Sequence, residues 1–124
     1  MNVVDSSGWL EYFAGGSNAG FFAPAIEKAG ELLVPVITVY EVYKRICQQR
    51  DETAALHAIA AMRLGQPIAL EEGLALTAAR FSLRHMLPMA DALIYATART
   101  HDAMLWTQDR DLEGLPGVRF REKR

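Results

Sequence analysis

Short apolar runs alternate along this chain with longer segments of helical spacing, and that alternation limits the fold to one class. Asn2 to Asp5, Leu32–Val34, Pro67–Leu70 and Met104–Trp106 read as strands, with Val118–Phe120 as a fifth at an edge. Helices are predicted from a Ser6 or Ser7 cap to about Ala14, from Asn18 to Ala29 with Gly30 as stop, and from Thr38 to Gln49. Asp51 caps a fourth helix ending at Gly65, and Glu71 opens a fifth that runs to His85. After the break at Pro88, a sixth runs from Ala90 to Thr100, apolar nearly all round as a buried helix is. Strands alternating with helices build a mostly parallel sheet covered on both faces. The expected fold class is therefore α/β, a three-layer α/β/α sandwich around four or five short strands.

Nothing in the pattern divides the chain, so its 124 residues are expected to form one domain, 1–124. A domain of that size buries roughly two thirds of its unfolded surface. The hydrophobic fraction of 51% supplies an ordinary core. No apolar run approaches the length of about 20 residues that crosses a bilayer, and no basic segment with an apolar signal core opens the chain. A lone Cys47 forms no internal disulfide. A cytoplasmic protein is the expectation. The net charge of −2 excludes a global basic field for nucleic acid. Local basic stretches occur at Lys44-Arg45 and at Val118–Arg124, the latter read as a solvated tail.

Four carboxylates stand in apolar settings: Asp5 after Val3-Val4, Glu41 between Val39-Tyr40 and Val42-Tyr43, Asp91 ahead of Ala92–Ala96, and Asp109 after Leu105-Trp106-Thr107-Gln108. An unpaired buried carboxylate costs several kcal/mol, so such groups are partnered or hold a metal. Singly, three have ordinary explanations. Asp5 caps the first helix in competition with Ser6 and Ser7, Asp91 complements a helix dipole, and Asp109 caps the turn Arg110–Glu113. Glu41 has only Lys44 and Arg45 as local partners, three and four residues on. Jointly they are more informative. In a parallel sheet the ligand site lies beyond the carboxyl ends of the strands, where Asp5 and Asp109 both fall.

The segments Val3–Ser7, Thr38–Val42, Ala90–Ile94 and Leu105–Leu112, in that order and spacing, resemble a PIN domain, and more narrowly the VapC-type toxins of bacterial toxin–antitoxin pairs. The resemblance covers essentially the whole chain. It implies a PIN-like sandwich and an endoribonuclease that uses magnesium or manganese. Carried over residue by residue, Asp5, Glu41, Asp91 and Asp109 become catalytic, metal-binding acids, with Thr107 and Ser6 in support. Asp111 is placed outside the site as a capping or surface residue, and Leu112 stands where the family often has an aromatic. RNA as substrate, a cognate antitoxin gripping the early helices, and a homodimer follow from the same resemblance.

Hard divalent cations take oxygen ligands. A water acidified by such a cation would attack a backbone phosphorus in line. Asp5 and Asp91 are expected as direct ligands, Glu41 as ligand or water-positioning group, and Asp109 as the residue completing the site. Lys44, Arg45 and Arg110 are the cations expected to meet RNA. Two other chemistries compete: a phosphoaspartyl phosphatase, which wants an acid at Ser7, and a receiver domain, whose central phosphoacceptor and late lysine are not visible. A PIN fold serving as a catalytically silent binding module is the third alternative. His57, His85 and His101 lack zinc-like spacing.

Overall fold

A computed structural model describes all 124 residues. The strands are β1 (Asn2–Val4), β2 (Leu32–Pro35), β3 (Gln66–Ile68), β4 (Met104–Thr107) and β5 (Val118–Phe120). The helices are α1 (Ser6–Ala14), α2 (Ala19–Glu27), α3 (Val36–Gln49), α4 (Glu52–Met62), α5 (Glu72–His85) and α6 (Met89–Thr100). All strands pair in parallel in the order β3-β2-β1-β4-β5. No helix is long and apolar enough to cross a membrane.

Side chains on successive strand residues point to opposite faces, and here that period sorts the core into two layers. Val3, Leu33 and Leu105 pack with α5 and α6, whereas Val4, Leu32, Val34 and Trp106 pack with α1, α2, α3 and α4. The result is the expected α/β/α sandwich, with the sheet parallel throughout. The chain leaves β1 toward β2 and later returns to β4 on the other side of β1. That reversal opens a crevice at the carboxyl ends of β1 and β4, the place where open α/β sheets bind ligands.

Several boundaries differ from the sequence reading for local reasons. Asp5, not Ser6 or Ser7, caps α1, its Oδ1 accepting from the Gly8 N–H at 2.9 Å. α2 stops at Glu27, and Gly30 lies inside a following 3-10 turn, Ala29–Glu31, rather than acting as the helix stop. α4 ends at Met62, and β3 begins at Gln66 because it takes its register from Leu33–Pro35 of β2. Asp51 does cap α4, through the Ala54 N–H. One close approach fixes the entry of α1. A Cβ on Gly8 would lie 2.6 Å from the Phe22 ring and 2.7 Å from Val4 Cγ1, so only glycine lets α1 sit this near α2 and β1.

Candidate metal centre

Asp5 leaves β1 directly into α1 and is 2% exposed. Its carboxylate is held from three directions. The Gly8 N–H and Ser7 Oγ donate to Oδ1, both at 2.9 Å, while Thr107 Oγ1 donates to Oδ2 at 2.7 Å, with Ser7 Oγ also 3.0 Å from that oxygen. Thr107 ends β4, next to β1 in the sheet, and its hydroxyl accepts from the Asp109 N–H at 2.9 Å. One threonine thus ties the acid after β1 to the acid after β4. Burial raises the Asp5 pKa from 3.8 to about 6, against the opposing pull of the Thr107, Gly8 and Ser7 hydrogen bonds; the charge of Asp109 raises it further.

Asp91 is the third residue of α6 and half-buried, and Asp109 caps the turn Arg110–Leu112, accepting from the Asp111 N–H. Asp91, Asp109 and Asp111 each offer a carboxylate oxygen within 4.8 Å of the others. Asp91 is pushed to about 8, first by desolvation, then by the charge of Asp109 and a hydrogen bond to it, then by Asp5 and Asp111. Every one of these influences raises it; no cation offsets them. Hard oxygen donors crowded without a counter-charge are the donor set that suits magnesium or manganese.

The expected acids are therefore brought together unequally. Asp5, Asp91 and Asp109 share one electrostatic neighbourhood. Asp111, set aside in the sequence, enters the cluster because the 3-10 turn folds its carboxylate back beside Asp109. Glu41 stands apart from the three-acid cluster: half-buried on α3, it accepts a 2.5 Å hydrogen bond from Ser6 Oγ. Its sequence-based partners do not engage it. The molecule's one ion pair joins Arg110 to Glu122, and Lys44 lies over the Tyr40 ring. Of the three cations expected to meet RNA, only Arg45 lines a polar pocket beside the site; Lys44 does not, and Arg110 is engaged by Glu122. Ser7 escaped sequence reasoning as a support of Asp5, although its place two residues on is the spacing of a side chain that folds back onto a cap.

Among solved structures, a toxin–antitoxin complex of Klebsiella pneumoniae superposes with a TM-score of 0.82 at 23% identity, covering 96% of both chains. VapC20 of Mycobacterium tuberculosis, a sarcin-ricin loop cleaving toxin, gives 0.78 at 21% identity over 96% of this chain and 99% of that one. VapBC2 of Rickettsia felis, bound to a DNA fragment from its promoter, gives 0.74 at 9% identity over 98% and 97%. No curated protein matches the sequence. At these identities the superpositions speak to the fold. The family model of the PIN domain matches residues 3–118, nearly the whole length, and the chain belongs to the PIN domain family.

Proposed function

We propose that this PIN domain is a divalent-metal-dependent endoribonuclease, the toxin of a toxin–antitoxin pair, which hydrolyses RNA phosphodiester bonds with an activated water. The observation that carries the reading is the cluster of Asp91, Asp109 and Asp111 within 4.8 Å beside buried Asp5, with no cation facing it. A purely structural role would not gather like charges at the sheet's ligand-binding edge and leave them unpaired. The structural likeness to toxins, one of them a cleaver of the sarcin-ricin loop, supports the same reading.

Asp91, Asp109 and Asp111 would hold magnesium or manganese. Asp5 joins them, since its three hydrogen-bond donors leave lone-pair capacity on the carboxylate. Bound there, the cation supplies Lewis-acid stabilisation of phosphoryl charge and lowers the pKa of water. The chain's own work is orientation. Ser7, Gly8 and Thr107 fix the Asp5 carboxylate, and Thr107 fixes Asp109 through its N–H. Glu41, held by Ser6, is reserved for positioning water or the strand rather than for direct ligation. Without a cation, Asp91 holds a proton at neutral pH and shares it with Asp109.

The test is cleavage of a labelled RNA in magnesium or manganese, with EDTA as control and Asp5→Asn as variant. Cleavage that needs the metal and disappears in Asp5→Asn is expected. Cleavage that survives EDTA, or an Asp5→Asn protein as active as the parent, would sink the assignment. An antitoxin partner, a homodimer and a cytoplasmic site of action belong to the same proposal. Co-purification with the product of the adjacent reading frame, light scattering and cell fractionation check each in turn.

A further inference from the structure

The acidic cluster accounts for the cleaved phosphate, but a second feature beside it has the opposite charge. A pocket of about 230 Å³ is lined by Ser7, Glu11, Arg45, Gln49, Gln108 and Lys123 among others. It adjoins the metal centre through Ser7, whose hydroxyl donates to Asp5, and through Gln108, which lies between Thr107 and Asp109. On one wall Ser7 and Glu11 stand one turn apart on α1. On the other, Arg45 and Gln49 continue one turn beyond Glu41 on α3, and the Ser6–Glu41 hydrogen bond ties the two helices at the end nearest the site.

Lys123 reaches this pocket because the C-terminal segment is fixed to the sheet. The Arg121 N–H donates to Thr107 O at 3.1 Å, and Asn18 Nδ2 donates to Glu122 O at 3.0 Å and to Gln108 Oε1 at the same distance. Arg119 lies 4.7 Å over the Trp106 ring and Arg121 5.0 Å over Phe21, while Glu122 pairs with Arg110. The segment read from sequence as a solvated tail is thus placed by named contacts. Neither Arg45 nor Lys123 has a carboxylate partner, since Arg110–Glu122 is the only ion pair. The one acid of the pocket, Glu11, is turned to its own loop, where Oε2 accepts from the Asn18 N–H at 2.8 Å. Two unneutralised cations with hydroxyl and amide groups beside them make a receptor for one phosphodiester anion.

We propose that the Arg45–Lys123 pocket binds the RNA backbone phosphate next to the one that is cleaved, so that the strand runs from the acidic centre into the cleft between α1, α3 and the C-terminal segment. This rests on the ribonuclease reading, and the test separates the two. Binding of a fluorescently labelled single-stranded RNA oligonucleotide of mixed sequence is followed by anisotropy in EDTA across a salt series, for the parent, Arg45→Gln, Lys123→Gln and the double variant. Each lost phosphate contact lowers the slope of log affinity against log salt by about 0.7. Because the two cations share one phosphate, the double variant is expected to lose about 0.7 from the slope and to bind on the order of tenfold more weakly at low salt, equally for different sequences. Under single turnover in magnesium, its cleavage should fall at subsaturating RNA and recover at saturation. Lys123→Arg should keep both slope and affinity, because the charge is kept. An unchanged slope in the double variant would overturn the pocket, as would a double variant that still binds RNA like the parent while losing affinity for an acidic peptide. A parent that binds RNA with the predicted slopes yet never cleaves would overturn the ribonuclease reading alone.

Discussion

Replacing Asp91 by asparagine should make the metal-free protein more stable at alkaline pH, the reverse of what removing a buried hydrogen-bonding acid normally does. The Asp91 carboxylate lies within 4.8 Å of oxygens on Asp109 and Asp111, and Asp5 also bears on it. At that separation two negative charges repel by about 0.9 kcal/mol at the dielectric of water and about 3.5 kcal/mol at an effective value near 20. Asp91 is half-exposed, so the lower end governs. Against this stands the favourable interaction of Asp91 with the N-terminus of α6, about 0.3–1 kcal/mol. Repulsion from more than one neighbour outweighs it, leaving a net gain of about 1–2 kcal/mol at pH values where Asp91 is ionised. With a folded pKa near 8 against 3.8 unfolded, the gain builds as pH rises from about 4 and is complete by about pH 9; below pH 3.8, where the side chain is neutral folded and unfolded alike, it should vanish. Urea unfolding followed by tryptophan fluorescence in EDTA reads this directly, since Trp9 and Trp106 are both buried. Saturating magnesium should then stabilise the parent by mass action and the variant much less. A variant less stable than the parent at about pH 9 in EDTA would refute the reasoning, because it would mean that an attractive partner holds Asp91 in place.

Asp5 makes the metal-free protein most stable in mild acid. Its folded pKa of about 6 lies above the unfolded 3.8, so the folded state binds the proton more tightly. That contribution is complete below pH 3.8 and is lost as pH rises through about 6; a shift of this size is worth about 3 kcal/mol. Melting in EDTA should therefore show Tm falling from pH 4 toward pH 8, and magnesium should flatten the fall. Thr107→Val keeps the shape but removes the donor to Asp5 and the acceptor for the Asp109 N–H. A loss of about 1–3 kcal/mol is expected by urea unfolding, with RNA cleavage reduced, and an unchanged midpoint would contradict the bridging role. Gly8→Ala drives a methyl into Phe22 and Val4, and about 1–3 kcal/mol of stability should go with it.

The fold was legible because two periodicities carried it. The alternation of apolar runs with helical stretches specified a parallel sheet, and the period of two within Val3-Val4 and Leu32–Val34 sent neighbours to opposite layers. Helix ends were legible at Ala14, Gln49, His85 and Thr100, and at the start of α4, where the Asp51 side chain does the capping. They were not where tertiary register decides, as at β3, or where a 3-10 turn takes up Gly30. Asp5, Asp91 and Asp109 were readable as a set because a carboxylate at a strand exit or in a first helical turn has a fixed place at the sheet's edge. Asp111 was not, because its membership depends on the 3-10 turn Arg110–Leu112, which brings its carboxylate back beside Asp109. Lys123 was not, because its position is set by contacts from Asn18 and Phe21 at the start of α2 and from Trp106 in β4, two segments remote in sequence.

Two of these residues explain why the acids do not simply push the crevice apart. Thr107 bridges β1 and β4 across the reversal point of the sheet, giving to Asp5 and receiving from Asp109. Asn18 does the same one layer out, joining the start of α2 to Gln108 and to the chain end. Hydrogen bonds, each worth about 1–3 kcal/mol net, therefore hold together a cluster of acids that repel one another. The cluster is tolerated because the cost is local and partly relieved by the proton on Asp91. A cation that displaces that proton would remove the repulsion outright, so ion affinity and proton release must be linked. Magnesium titration in weak buffer near pH 7 should release close to one proton per protein, falling toward zero by about pH 10. Binding without proton release at neutral pH would mean that the ion sits elsewhere than beside Asp91.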